Sequence, residues 1–279
     1  MATGISLHIG VNRIDPVHYA GWSGPLNACE ADARSMDAVA RAMGFRTTVL
    51  LTAAATRGAV SSAIAGAARE LAGGDMLLLT YSGHGGQLPD GSADEEDGHD
   101  ETWCLYDGQL VDDELYQLYA GFAAGVRILI LSDSCHSGSV AKSVIRSPLQ
   151  EPSMDPFGFV TKAMPDEVAV ATYEKNAAFY DEVRRTIRPL SHSKGGPSVH
   201  ASVRLLSGCQ DHEVSFDGKV NSAFTAALLQ VWGDGSFRGT YDDFHRRVVE
   251  KLTPRQTPNH FRTGATDLSY DGQRPFAIV

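Results

Sequence analysis

Residues 76–86 read MLLLTYSGHGG, and residues 126–139 read VRILILSDSCHSGS. Each stretch begins with a short, mostly apolar run and ends in glycine and serine residues around a histidine or a cysteine. A nearly continuous apolar run is typical of a strand that is buried on both faces of a sheet. The two stretches therefore predict two core strands whose carboxyl ends carry chemically reactive side chains.

Outward from these runs, strand-like segments alternate with helical patterns. Further strands are predicted at residues 5–11, 45–51 and 203–206, and helices at 27–43, 56–71, 223–232 and 241–252. Strands that alternate with helices favour a parallel sheet covered by helices. The predicted fold class is α/β, with a mostly parallel central sheet flanked by helices on both faces.

The length of 279 residues suits a single domain spanning 1–279. One region differs in composition, because six of the twelve prolines fall between residues 148 and 197. We expect a Pro-rich insertion or connector at about 140–200, with one short helix near 174–187. An ordinary packed subdomain is the alternative.

Composition excludes several classes of partner. The chain has 24 Lys+Arg against 34 Asp+Glu, a net charge of −10, which disfavours nucleic acid. Neither a signal-peptide pattern nor an apolar stretch of 18 residues is present, so we expect no membrane partner. The four cysteines are scattered, as in proteins of a reducing compartment. We therefore expect a cytoplasmic protein, and a monomer.

His84 and Cys135 are the candidate catalytic pair. Ligands gather at the carboxyl ends of strands in open α/β sheets, so the two loops should open on the same edge. Taken singly, a buried cysteine or histidine is more often structural. A glycine-flanked histidine opposite a serine-flanked cysteine 51 residues later favours a thiol nucleophile with an imidazole base.

The motifs SGHGG at 82–86 and DSCHSGS at 133–139 resemble those of the caspase-like cysteine peptidases of clan CD, specifically the metacaspase branch. The Gln-Ala-Cys-Arg-Gly signature of true caspases is absent. Supporting similarity lies at 27–33 (NACEADA), at 207–211 (SGCQD), and from 256–258 to 275–276. The resemblance implies a caspase-like fold and a prokaryotic-type, single-domain cysteine endopeptidase.

Under this resemblance, Cys135 is the nucleophile and His84 is the general base and later the general acid. The backbone amides of Gly85 and Cys135 are the implied oxyanion donors. No sequence signal marks a third catalytic residue, so the expected machinery is a Cys/His dyad.

Rival residues have weaker patterns. His136 is adjacent to Cys135, and neighbouring side chains diverge along an extended chain. Cys29 and Cys209 do not follow a buried run that faces a histidine loop, so we interpret them as packing residues beside the groove. Cys104, in an expected short strand, is interpreted as packing too.

The expected substrate is a protein or peptide with Lys or Arg at P1. Asp133 lies two residues before the nucleophile and projects to the same side of an extended segment. Asp32 matches the acidic pocket of the family by resemblance, and Ser82 could line the same pocket. Two carboxylates in one S1 pocket select an ammonium or a guanidinium. The alternative for Asp32 is a solvated acid on a helix.

Eleven acidic residues and no Lys or Arg lie between residues 90 and 114. Hard oxygen ligands favour calcium, and the resemblance suggests Asp97, Asp112 and Asp113 as ligands. A solvated acidic loop is the alternative. Calcium-dependent relatives place another acid seven residues after the nucleophile, where this chain has Lys142. We therefore expect no required cofactor and weak or absent calcium dependence.

The predicted function is a cysteine endopeptidase that cleaves after Arg or Lys. The alternatives are a clan-related hydrolase with different P1 specificity and a non-catalytic caspase-like scaffold. Self-cleavage is also expected, because basic residues occur in the Pro-rich region. The candidate positions are Lys142, Arg146, Lys162, Lys175, Arg184, Arg185 and Lys194.

Overall fold

The computed structural model describes residues 2–89, 99–135, 160–187, 198–209, 215–254 and 256–279. The strands are β1 (Gly4–Gly10), β2 (Arg46–Leu51), β3 (Met76–Ser82), β4 (Gly85–Pro89), β5 (His99–Leu105), β6 (Gly108–Val111), β7 (Arg127–Asp133), β8 (Ser202–Ser207) and β9 (Asn259–Gly264). The helices are α1 (Cys29–Ala42), α2 (Arg57–Glu70), α3 (Asp112–Ala120), α4 (Asp166–Lys175), α5 (Ala177–Thr186), α6 (Ala223–Trp232), α7 (Tyr241–Val249) and α8 (Leu268–Asp271).

The central sheet has the strand order β2-β1-β3-β7-β8-β9. All of its pairs are parallel except β8 with β9, which is antiparallel. Strands β3 and β7 are neighbours at its centre and are almost wholly buried, as their apolar runs predict. The expectation of a mostly parallel sheet is confirmed.

Helices cover both faces of the sheet. The core on one face includes side chains of α1, α6 and α7, and the core on the other face includes side chains of α2 and α3. No helix in the described parts of the chain is long and apolar enough to cross a membrane.

A small antiparallel sheet of β4, β5 and β6 follows the loop that carries His84. From the sequence, only a short strand around Cys104 was expected here, and the sheet as a whole was not. Its strands are short, and β4 is rich in glycine, which weakens the apolar alternation that marks a strand.

The short helix expected near 174–187 is present as α5, and a second helix that was not expected, α4, precedes it and meets it at Asn176. The side-chain amide of Asn176 donates to the carbonyls of Thr172 and His18. A side chain that bonds the local backbone in this way competes with continuation of the helix. The chain therefore forms two helices here rather than one.

Residues 160–187 pack against the rest of the domain. Tyr180 on α5 is fully buried, and its hydroxyl lies 2.6 Å from Nε2 of His18 and 3.2 Å from the backbone nitrogen of Gln109. Lys162 is also fully buried. A connector of the kind expected at 140–200 would be exposed, and this expectation is wrong for the residues around Lys162.

Candidate active site

Three elements bring polar side chains to the carboxyl edge of the central sheet. Ser82 ends β3 and pairs in register with Asp133, which ends β7. Helix α1 delivers Asp32 to the same place, because its first turn packs closely on the end of β1. A Cβ at Gly10 would lie 2.3 Å from the carbonyl oxygen of Cys29, so only glycine permits this approach.

His84 lies directly after β3, is 1% exposed, and packs on Trp22 with 4.7 Å between ring centroids. Its Nε2 is 3.1 Å from the carbonyl oxygen of Gly24. A carbonyl oxygen only accepts, so this bond assigns the proton of the neutral ring to Nε2 and leaves Nδ1 as the base. Nδ1 is buried and has no hydrogen-bond partner among the described residues.

The carbonyl of Gly24 thus orients the imidazole. The backbone of Gly24 has φ +50, and a Cβ there would approach the ring of His84 to about 3.0 Å. Sequence reasoning missed this group because a backbone carbonyl leaves no mark in a side-chain pattern.

Cys135 follows β7 and is fully buried. Its sulfur accepts a hydrogen bond from the backbone nitrogen of Ser215 and lies 3.2 Å from the sulfur of Cys209. His84 and Cys135 sit on neighbouring strand ends, but the imidazole does not hydrogen-bond the thiol in this state.

The side chain of Lys162 fills the pocket formed by the three residues expected to bind P1. Its ammonium lies 2.8 Å from the hydroxyl of Ser82, 3.2 Å from Asp133 and 3.4 Å from Asp32. Lys162 has no exposed surface, so these acceptors replace water around the charge. Asp32, Ser82 and Asp133 are therefore brought together around one buried cation.

The backbone of Lys162 is bound as closely as its side chain. Its carbonyl oxygen accepts from the nitrogens of Gly85, at 2.8 Å, and Cys135, at 3.2 Å. These are the two amides expected to form the oxyanion hole. The nitrogen of Lys162 donates to the carbonyl of Ser215 at 3.1 Å, and Thr161 pairs antiparallel with Phe216. Isolated β-bridges on either side of Lys162, which itself forms a bend, thus hold segment 160–164 in the site.

Both carboxylates of the pocket are held by further donors that sequence reasoning missed. Asp133 accepts from the hydroxyls of Ser215 and Thr225. Asp32 accepts from the side chain of Asn221, at 2.9 Å, and from the backbone nitrogen of Ser222, at 2.9 Å. Residues 215–225 follow the SGCQD motif, but they lie next to the pocket only because β8 pairs with β7.

Charge explains why a cation fits here. Burial raises the pKa of Asp133, and the nearby Asp32 raises it further, while Lys162 opposes both effects. Burial alone would lower the pKa of Lys162, but the surrounding anionic groups, Asp133 foremost, raise it. Without a cation the pocket would hold two buried acids that repel each other.

The rival cysteines are placed as packing residues. Cys29 and Cys104 are fully buried, and burial raises the pKa of Cys29 to about 12 and also raises that of Cys104. Cys209 is the exception in position, because it contacts Cys135. His136 lies outside the described residues.

The acidic region contributes Asp112 and Asp113 to the first turn of α3. Burial raises the pKa of Asp112, and the neighbouring carboxylates, Asp113 first, raise it further. This excess of negative charge is compatible with a hard cation, but the described residues hold no group of three or more potential metal-ligating side chains. Asp97 and Lys142 lie outside the described residues.

The proposed cleavage positions differ in local structure. Lys175 lies at the end of α4, and Arg184 and Arg185 lie in the last turn of α5, so all three are helical. Lys162 alone among those described lies outside the helices, with its carbonyl oxygen at the candidate site. Lys142, Arg146 and Lys194 lie outside the described residues.

The buried imidazole makes stability depend on pH. Burial lowers the pKa of His84 from 6.5 to about 3, so the native state binds fewer protons than the unfolded state between these values. The stabilisation is fully present above pH 6.5 and is lost as the pH falls. Relative to His84→Asn, the wild type should lose roughly 1.4 kcal/mol more per pH unit between about pH 6 and 4.

Denaturant unfolding at several pH values measures this difference. Buried His8 and partly buried His260 also have lowered pKa values, but they are present in both proteins, so their contributions cancel in the difference between the two slopes. His200, which is exposed, gives the control His200→Asn, which should keep the wild-type slope. Equal slopes for wild type and His84→Asn would contradict a neutral, buried His84.

Comparison with known proteins shows the family to which the chain belongs. Residues 11–270 match the family model of the caspase domain. Metacaspase-1 of Schizosaccharomyces pombe is 35% identical over 170 residues, covering 55% of this chain and 40% of that protein. Metacaspase-1 of Mycosarcoma maydis is 29% identical over 266 residues, covering 81% of this chain and 61% of that protein. The chain thus spans less than two thirds of either relative.

Two solved structures are similar throughout. A Geobacter sulfurreducens protein has a TM-score of 0.88 and 49% identity, covering 99% of both chains. Caspase-1 from Spodoptera frugiperda has a TM-score of 0.51 and 13% identity, covering 94% of this chain and 88% of that one, so it is alike in fold alone. Since the caspase domain spans most of its length and its curated relatives are metacaspases, the chain belongs to the caspase-domain family of cysteine peptidases, in the metacaspase group.

Proposed function

We propose that the protein is a cysteine endopeptidase that cleaves protein or peptide substrates after Lys or Arg. One observation carries the proposal, namely the binding of Lys162. The ammonium of Lys162 lies between Asp32 and Asp133, and its carbonyl oxygen accepts from two backbone amides beside Cys135. A substrate with a basic P1 residue needs the same two sets of contacts.

The proposed reaction uses His84 and Cys135. Nδ1 of His84 takes the thiol proton, and the sulfur attacks the carbonyl carbon of the P1 residue. The negative oxygen that forms is stabilised by the nitrogens of Gly85 and Cys135. The amine leaves with the proton from His84. Water, deprotonated by His84, then hydrolyses the thioester and restores the thiol.

The pocket accounts for the proposed selectivity. An ammonium offers three donors, and Ser82, Asp133 and Asp32 supply three acceptors around it. An acidic P1 side chain would add a third negative charge to two buried carboxylates. A guanidinium carries the same charge and can donate two parallel hydrogen bonds to one carboxylate.

We also propose that the chain cleaves itself between Lys162 and Ala163. The carbonyl oxygen of Lys162 already lies at the two amides beside Cys135, whereas the other described candidates are helical. The bound segment excludes other substrates until it is cut or displaced.

Loss of the catalytic pair gives the first test. Cys135→Ala and His84→Ala should each lower hydrolysis of a Lys or Arg peptide by about 10³-fold or more, because one removes the nucleophile and the other the base. Circular dichroism should show an unchanged fold, and iodoacetamide should label Cys135 in preference to Cys29 and Cys104. Full activity of Cys135→Ala would refute the assignment, and a folded but inactive wild type would favour a scaffold.

The pocket charge gives the second test, made on self-processed enzyme. Asp133→Asn should lower kcat/KM for Lys and Arg peptides by roughly 30-fold, about 2 kcal/mol, because a buried charge pair is broken. Asp37→Asn is the matched control, since Asp37 lies on the same helix as Asp32 and pairs with Arg41. A wild type that prefers Asp over Arg at P1 would show the pocket argument to be wrong.

Self-cleavage gives the third test. Wild-type protein should yield fragments ending at Lys162 and starting at Ala163, as read by mass spectrometry and terminal sequencing. Lys162→Arg should still be cut and Lys162→Gln should not, because only arginine keeps the charge. Lys175→Gln is the control and should be cut like wild type. Equal fragments in Cys135→Ala would indicate a contaminating protease.

Calcium dependence is the fourth test. Asp112 and Asp113 would hold the ion, together with Asp97, and its charge would offset their repulsion. We propose weak or absent dependence because Lys142 brings a positive charge that would repel the cation. Two like unit charges 4 Å apart repel each other by roughly 4 kcal/mol at an effective dielectric near 20. Activity in chelator should be close to activity in millimolar calcium, and Lys142→Asp should increase the response. Strong activation of wild type by calcium would contradict this proposal.

A further inference from the structure

A second thiol lies against the candidate nucleophile. The sulfurs of Cys209 and Cys135 are 3.2 Å apart, with Cys209 as the donor. The sulfur of Cys209 also lies 3.4 Å from the carbonyl oxygen of Ser134. The proposed hydrolysis gives Cys209 no role, although it is the thiol nearest to the reacting sulfur.

Strand pairing brings the two residues close together, because the register continued past Ser132 and Ser207 sets Cys209 opposite Ser134, one residue before Cys135. Cys135 follows the end of β7 and Cys209 follows the end of β8, and these two strands are parallel neighbours. Their register pairs Ser132 with Ser207, and the nitrogen of Gly208 donates to the carbonyl of Ser132 at 2.8 Å. Adjacent strands lie about 4.8 Å apart, which is within the range of Cα separations that a disulfide spans.

The two thiols differ in their surroundings. The bond to Cys135, and then burial, raise the pKa of Cys209, so Cys209 stays protonated while Cys135 reacts. Both residues are at most 6% exposed, and Ala163 of the bound segment packs with them. A separate substrate reaches Cys135 only after segment 160–164 is cut or displaced, and the same opening admits a small hydroperoxide.

We propose that Cys135 and Cys209 form a reversible disulfide when the protein meets a hydroperoxide, and that this bond protects the nucleophile from irreversible oxidation. The sulfur of Cys135 attacks hydrogen peroxide, the O–O bond breaks, and sulfenic acid and one water form. The sulfur of Cys209 then attacks the sulfenic sulfur. The S–S bond forms, the S–O bond breaks, and hydroxide leaves as water with the proton of Cys209. A dithiol reductant reverses the step.

The other cysteines supply matched controls. Cys29 and Cys104 are as buried as Cys135 but contact neither sulfur of the pair in the described structure. A disulfide that depends on proximity at the strand ends should form without them. Cys29→Ser and Cys104→Ser should therefore behave like wild type in oxidation and recovery.

The experiment exposes wild type, Cys209→Ser and the two controls to hydrogen peroxide, then to a dithiol. Non-reducing peptide mapping should find a Cys135–Cys209 crosslink, two hydrogens lighter, in wild type and both controls. Iodoacetamide labelling of Cys135 should disappear and return to at least about nine tenths after reduction. In Cys209→Ser, Cys135 should gain two or three oxygens, and most of its labelling should not return.

Two results would overturn the inference. One is a Cys135 that loses its labelling without forming the crosslink, or keeps its labelling throughout the exposure. The other is Cys209→Ser that recovers as completely as wild type. The inference rests on the proposed function only for the reactivity of Cys135 and the opening of the site. Because the crosslink is read by mass, a protein that forms it but cleaves no Lys or Arg peptide overturns the proposed function alone.

Discussion

The buried ammonium of Lys162, held between the carboxylates of Asp32 and Asp133, is the interaction on which the rest of the site depends. Two carboxylates without water or a cation would be strongly destabilised by desolvation and mutual repulsion. The pocket therefore needs a positive charge to adopt its closed form, in which the side chain of Lys162 fills it. Helix α1, the ends of β3 and β7, and segment 160–164 meet where that charge is satisfied.

Backbone groups supply most of the remaining chemistry. Amides of Gly85 and Cys135 bind a carbonyl oxygen, the carbonyl of Gly24 orients His84, and Ser215 bonds segment 160–164 through its own backbone. Such groups are fixed by the fold and need no side-chain ordering when a substrate arrives, which is the basis of preorganised electrostatic stabilisation. The positive φ of Gly24 and its lack of a Cβ permit its close approach to His84.

A segment that belongs to the same chain competes with substrates at a high effective concentration. Release of segment 160–164 is therefore the step that would connect the closed form to both the proposed peptidase reaction and the proposed thiol chemistry. Strands β8 and β9 follow this segment in the chain and lie in the central sheet, so a cut after Lys162 would leave both fragments joined by strand pairing.

The sequence by itself determined the central sheet, because long apolar runs such as β3 and β7 can only be satisfied by burial on both faces. It also placed His84, Cys135, Ser82 and Asp133 at one edge, because parallel strands share the direction of their carboxyl ends, and resemblance to the family placed Asp32 beside them. The small sheet of β4, β5 and β6 and helix α4 were missed, since glycine-rich strands and helices interrupted by a side-chain bond leave weak patterns.

Only the tertiary structure decided how these residues are used in the closed form. Lys162 is one of the seven basic residues proposed as cleavage positions. Its place in the pocket follows from backbone bonds between its segment and residues 215–217, more than 50 positions later. The contact of Cys209 with Cys135 likewise requires the pairing of β8 with β7. The spacing of apolar residues within a helix or strand indicates which of its faces is buried. Contacts between distant segments depend on strand register and packing, which that spacing does not contain.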